Sequence, residues 1–180
     1  MLQDRIAFGQ SVSVNGVQMA AAVNTIANNG VHVSPSLIQG KARTGTGQVV
    51  GTDETTRNRV VSQDAAHQMT QMMERVVDPD AGTAPGAQVP GYVVAGKTGT
   101  AQRVGPICGC YNGEFTVSFA GFAPADDPRF TVYVVVQNPR NGGGGGGVAG
   151  PAFSKIMSFA LRRYGVPPTG AQPSQIPTTW

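Results

Sequence analysis

Apolar residues recur at three- and four-residue spacing in three stretches of the chain. In the first, NGVQMAAAVNTIANNG places Met19, Ala22, Val23, Ile26 and Ala27 on one face, with Asn15 as N-cap and Gly30 as a left-handed stop. The second opens at Ser62 and carries Asp64 in its first turn, where negative charge suits the helix dipole. It lines up Ala66, Met69, Met73 and Val76 before Asp78-Pro79 ends it. Its methionines read as a core-facing row, and His67, like His32, as a surface or packing residue. The third starts at Pro151 and sets Phe153, Ile156, Met157, Ala160, Leu161 and Tyr164 on one face before Gly165.

Between the helices the pattern changes to strands. Short pieces are expected at Val31–Val33 and Leu37–Ile38, followed by a loop or hairpin around Gly45, Gly47 and Gly51. Tyr92–Ala95 leads into Gly96-Lys97-Thr98-Gly99-Thr100, Phe115–Phe119 alternates, and Phe130–Val136 is a β-branched run expected to be buried on both faces. Pro124-Ala125-Asp126-Asp127-Pro128 is too short for a parallel crossover, so the strands it joins are antiparallel neighbours. The predicted class is α+β, an antiparallel sheet flanked by helices.

Composition narrows the function classes. A chain of 180 residues has room for one domain or a large piece of one. With 13 basic and 10 acidic residues in no blocks, a net charge of +3 gives no reason to expect a nucleic-acid partner. No apolar stretch approaches the ~20 residues of a membrane span, and MLQDRIAFGQ lacks the features of a signal peptide. Gly142–Gly147 read as a linker or mobile loop, because a uniform glycine run has no fixed geometry with which to organise its N–H groups. The tail, residues 166–180, has no charged residue and four prolines, and is expected to be mobile with no fold of its own. Cys108 and Cys110 flank one glycine: they form either a local disulfide or two idle thiols, and with only His32 and His67 elsewhere no metal site is expected.

Gly91-Tyr-Val-Val-Ala-Gly96-Lys97-Thr98 matches the phosphate-loop pattern G-x-x-x-x-G-K-[ST]. The mechanics fail, since Tyr-Val-Val-Ala prefers a strand and Gly99, Gly105 and Pro106 prevent the helix that would support a phosphate; no nucleotide is expected. On a strand, by contrast, Lys97 and Gly99 face one way and Thr98 and Thr100 the other. Glycine at 99 then lets a substrate backbone lie close, and two hydroxyls with one cation suit an acyl substrate that carries a carboxylate.

The surroundings of this K-T-G carry a resemblance. Phe8-Gly9-Gln10, the helix ending in Ile26-Ala27-Asn28-Asn29-Gly30, Gly82-Thr83-Ala84, Ala95-Gly96-Lys97-Thr98-Gly99-Thr100-Ala101-Gln102, Ser118-Phe119-Ala120-Gly121-Phe122-Ala123-Pro124, Asp127-Pro128-Arg129 and Gly150-Pro151-Ala152-Phe153 occur in this order. Over about residues 5–165 the chain resembles the C-terminal part of the transpeptidase domain of class B penicillin-binding proteins. The Cys108-Gly109-Cys110-Tyr111 insertion is most similar to the actinobacterial division-specific members. The superfamily's motif set is S-x-x-K, S-D-N and K-T-G.

The resemblance implies domain limits of 1–165 for the transpeptidase part and the penicillin-binding, serine β-lactamase-like fold, present incompletely. It implies D,D-transpeptidation in septal peptidoglycan synthesis, with no cofactor. Lys97 would be the catalytic cation near the proton network, Thr98, Gly99 and Thr100 the substrate-binding strand, and the Thr100 N–H half of the oxyanion hole. Implied partners are the peptidoglycan stem peptide, β-lactams, the remainder of the domain and divisome proteins. The implied place is the extracytoplasmic side of the plasma membrane, with the parent anchored by a helix that these residues do not include.

No S-x-x-K occurs in the chain, so the nucleophilic serine and its lysine are not among these residues, and the chain alone is expected to be inactive and poorly stable. Ser13-Val14-Asn15 spells S-x-N but follows Phe8-Gly9-Gln10, after the point where the family places that motif, and reads as coincidence. Two other functions fit the same residues: a non-catalytic module that binds stem peptides or β-lactams, and a β-lactamase-like hydrolase.

Overall fold

Three consecutive antiparallel strands form the centre of the computed structural model, which describes residues 12–107, 109–140 and 142–177. In chain order the elements are α1 (Gly16–Ala27), β1 (Val31–Val33), β2 (Ala42–Arg43), β3 (Val49–Val50), β4 (Arg57–Arg59), α2 (Gln63–Glu74), β5 (Ala95–Val104), β6 (Tyr111–Ala123), β7 (Phe130–Gln137) and α3 (Gly145–Arg163). The sheet order is β5-β6-β7, with β1 and β4 forming one two-stranded ribbon and β2 and β3 another. The architecture is α+β, as the pattern predicts.

Local chemistry explains the first two helices. Asn15 Oδ1 accepts from Gln18 N–H while Gln18 Oε1 accepts from Asn15 N–H, both at 2.9 Å, a reciprocal capping box. Gly30 at φ 82° ends the turn after α1. Ser62 Oγ caps α2 through Ala65 N–H, and a 3-10 turn over Arg75–Val77 carries the chain to Asp78.

The register sets which residues share a face. Lys97 pairs with Ala120, Thr98 with Phe119, Gly99 with Ser118 and Thr100 with Val117; Phe119 in turn pairs with Val134. The face bearing Phe119 packs on α3 through Phe153, Met157 and Leu161, all fully buried. Phe119 and Phe153 meet edge to face with ring centroids 4.7 Å apart, a geometry worth about 0.5–1.5 kcal/mol beyond the area it buries. The opposite face, with Ala95 and Phe122, packs on Met73 of α2 and on Val23, Ile26 and Ala27 of α1.

Several expectations are corrected. The glycine run is not a free linker: Gly145, Gly146 and Gly147 form the first turn of α3, which therefore starts six residues before Pro151. A Cβ on Gly145 would overlap the carbonyl oxygens of Ser118 and Gly99, and one on Gly146 that of Thr83, so close backbone approach overrides glycine's poor helix propensity. β7 is half-buried rather than enclosed, because the described residues cover its two faces only in part, and Val135 is exposed. Met73 is buried but Met69 and Met72 are exposed, so the methionine row faces the core only in part. Ile156 and Tyr164 on α3 are likewise exposed.

Leu37 and Ile38 are no strand but an exposed bend, and the partner of β1 is the polar β4 instead. Tyr92 precedes β5 and makes only an isolated bridge with Val89. The tail has no helix or strand through residue 177, yet it is pinned to the body. Tyr92 Oη donates to Val166 O at 2.6 Å, Ser174 N–H to Glu74 Oε2 at 2.7 Å, and Arg75 to Ser174 O at 3.2 Å.

Candidate active site

β5 is an outer strand whose second edge has no partner among the described strands, which leaves backbone groups open along Lys97-Thr98-Gly99-Thr100. Lys97 is exposed, and its Nζ donates to Thr98 O at 3.0 Å and Thr98 Oγ1 at 3.2 Å. Among the described residues no carboxylate lies within ion-pair distance of it. The phosphate-loop pattern has no phosphate-loop structure: Lys97 and Thr98 lie inside a strand and no helix follows them. Gly96 answers to packing, since a Cβ there would press into the Phe119 ring.

Gly99 is held on both faces of its strand. Across the sheet a Cβ at 99 would stand 2.5 Å from Ser118 Oγ, while from the other side Gly145 rests on the Gly99 backbone. The glycine therefore makes room first for Ser118, a constraint inside the sheet in addition to the close substrate approach expected from sequence. Thr100 is exposed, and its Oγ1 accepts from Gly145 N–H at 3.3 Å. Because the N-cap residue Gly144 has no side chain to cap with, a threonine from β5 performs that task for α3. A cavity of about 410 Å³ opens beside Thr100, lined also by Glu114, Phe115, Asn138 and Gly142–Gly144. Glu114 is engaged there by Asn138 Nδ2 at 2.9 Å and by Arg103 at 3.3 Å.

A larger cavity of about 610 Å³ lies away from this strand, between Glu74, Asp78, Tyr92 and Pro173. Burial pushes the Glu74 carboxyl up from its ordinary value, with the Asp126 charge adding to the shift and the Ser174 N–H bond and His67 opposing it. Asp78 is pulled down by the N–H groups of Ala81 and Asp80 and by Arg75, 2.6 Å away. Asp78 is thus absorbed in closing the turn after α2.

Residues 2–158 match the family model for the penicillin-binding protein transpeptidase domain. The chain belongs to this family. It is 40% identical over 167 residues to penicillin-binding protein PbpB of Mycolicibacterium smegmatis, covering 88% of this chain and 26% of that protein. It is also 40% identical over 169 residues to stage V sporulation protein D of Bacillus subtilis, covering 92% and 26%. Among solved structures, penicillin-binding protein 3 of Mycobacterium tuberculosis in complex with aztreonam superposes with a TM-score of 0.80 at 35% identity, covering 94% of this chain and 39% of that one. The chain thus spans about a quarter of the length of the curated relatives it matches.

Within this transpeptidase family frame, the structure brings Lys97, Thr98, Gly99 and Thr100 together on one strand edge. Asn15 of the Ser13-Val14-Asn15 triplet is occupied in capping α1. Cys110 is disulfide-bonded, while Cys108, like Phe8-Gly9-Gln10, lies outside the described residues. Sequence reasoning missed Ser118 and Gly145. Ser118 becomes visible only with the register that sets it opposite Gly99; for Gly145 the available signal was a glycine run leading into an apolar helix with no capping residue before it. No described helix is long and apolar enough to cross a membrane.

Proposed function

We propose that these 180 residues form the K-T-G wall of a peptidoglycan D,D-transpeptidase of septal division, with the nucleophilic serine supplied by chain outside them. The observation that carries the reading is Lys97, Thr98 and Thr100 on a strand whose outer edge has no partner among the described strands, with a cavity beside Thr100. The serine oxygen attacks the D-Ala-D-Ala carbonyl of a stem peptide, D-Ala leaves, and the acyl group passes to an amine of a second stem peptide. Lys97 supplies positive charge near the protons in transit. Thr98 and Thr100 hold the terminal carboxylate, Gly99 lets the substrate backbone lie close between them, and the Thr100 N–H gives half of the oxyanion hole. One such donor contributes about 2.7–4 kcal/mol to the transition state.

In this reading β-lactams acylate the same serine. The remainder of the domain and divisome proteins are the protein partners, and the site works on the extracytoplasmic side of the plasma membrane. That compartment is oxidising, which suits a Cys108–Cys110 pairing. The test is intact mass after incubation with benzylpenicillin. The 180-residue chain takes no adduct, whereas the longer protein that contains it takes one per molecule, more slowly when Lys97 or Thr98 is replaced by Ala. A stoichiometric adduct on the short chain would place a nucleophile within it, with Ser13 the first suspect. No adduct on the longer protein would overturn penicillin binding.

A further inference from the structure

We infer that Gly145 is a positioning residue for Thr100: its N–H fixes the threonine hydroxyl as a donor toward the substrate carboxylate. The inference rests on the transpeptidase reading above and adds a residue to it. A hydroxyl on an exposed threonine ordinarily rotates to suit whatever is near, accepting as readily as donating. Here Gly145 N–H donates to Thr100 Oγ1 at 3.3 Å, so one lone pair is engaged and the O–H hydrogen is directed elsewhere. The cavity of about 410 Å³ beside Thr100 and Gly144 is the open space it can address.

Only glycine can bring that N–H into place. At position 145 any Cβ would overlap the carbonyl oxygens of Ser118 and Gly99, the latter in the strand that carries Thr100. A side chain would therefore lift α3 from β5 and release Thr100 Oγ1. Two positions on, Gly147 faces open space, with nothing within 4 Å of an added Cβ. The glycine run thus contains one residue that controls the substrate strand and another that does not.

The experiment follows acylation of the longer protein by benzylpenicillin across drug concentrations. Thr100→Val and Gly145→Ala should each raise the half-saturating concentration by ~10–100-fold, the range for losing a hydrogen bond to a charged group. The limiting acylation rate should change less than about threefold, as expected when ground-state and transition-state binding are lost equally. Gly147→Ala, outside the site, should behave as wild type, and Thr100→Ser, which keeps the hydroxyl, should lose less than Thr100→Val. The double variant Thr100→Val/Gly145→Ala should be no worse than Thr100→Val alone, because both remove one interaction.

Losses that multiply in the double variant, or that fall on the limiting rate, would overturn the positioning role while leaving transpeptidase chemistry intact. No adduct on the wild type would instead overturn the transpeptidase reading itself. Should Gly145→Ala not fold, amide hydrogen exchange decides. The Gly145 N–H should exchange faster in Thr100→Val than in wild type or Thr100→Ser, and equal rates would overturn the inference.

Discussion

Two neighbouring glycines at the start of α3 provide a sharp test of why the run exists. Replacing Gly by Ala in a helix is worth about 0.8–1.0 kcal/mol from propensity alone, at either position. At Gly147 nothing stands within 4 Å of the new Cβ, so Gly147→Ala should be stabilising by up to about 1 kcal/mol. At Gly146 the Cβ would overlap the Thr83 carbonyl oxygen and stand 3.1 Å from Ala84 Cα, and overpacking of this kind costs about 1–3 kcal/mol. The propensity gain offsets part of that, leaving Gly146→Ala destabilised by as much as ~2 kcal/mol. The two variants should then differ by about 1–3 kcal/mol, or roughly 2–12 °C in Tm for a chain of this size. Urea and thermal unfolding followed by far-UV circular dichroism would measure both. Equal stabilities, or Gly146→Ala the more stable, would refute close packing as the reason for the run and restore a flexible linker.

Other expectations follow from the same contacts. Phe153→Ala empties the space against Phe119 and should cost about 3–5 kcal/mol, read from the urea midpoint; a cost under about 1 kcal/mol would contradict the core assignment. Asn15→Ala removes one side of the capping box and should destabilise by about 0.5–2 kcal/mol, whereas Asn15→Asp should be close to neutral. Glu74 has its folded pKa raised above the ordinary 4.5, chiefly by burial, so the folded state holds the proton more tightly than the unfolded one. The stability this confers is present below pH 4.5 and lost as pH rises through the folded value. Glu74→Gln should therefore melt higher than wild type at pH 7, with the gap closing on acidification; a gap independent of pH would sink the assignment.

The parts legible in sequence were those governed by neighbours in sequence. Asn15 with Gln18, Ser62 with Ala65 and the Pro124–Pro128 turn each act over three or four residues, and the helices and meander they bound were found. The K-T-G strand was legible because alternation and the glycines after Lys97 exclude a helix. What failed depended on contacts between distant segments. The second half of the glycine run, Gly145–Gly147, is helical and its packing is set by Thr83, Gly99 and Ser118 pressing against Gly145 and Gly146, contacts that six identical residues do not reveal. Val135 is exposed because nothing among the described residues covers its side chain on that face of β7, although its β-branched composition suggests enclosure. Gly99 invites a reading in terms of substrate, and the register adds Ser118 as a constraint inside the protein itself.

The pinned tail has a consequence for the order of assembly on the ribosome. Its bonds from Ser174 to Glu74 and Arg75 close loops of 100 and 99 residues, among the most distant pairings in the chain. Domains emerge at about 5–20 residues per second, so the end of α2 waits some 5–20 s after its own synthesis for these partners to arrive. Through that interval Glu74 lacks its bond from Ser174 N–H, and Arg75 has Asp78, three residues on, as its partner. Contacts this non-local also slow refolding of the finished chain. Residues made about a hundred positions later thus close a seam begun far upstream, and a nascent chain stalled before Ser174 would present that seam to whatever chaperone attends it.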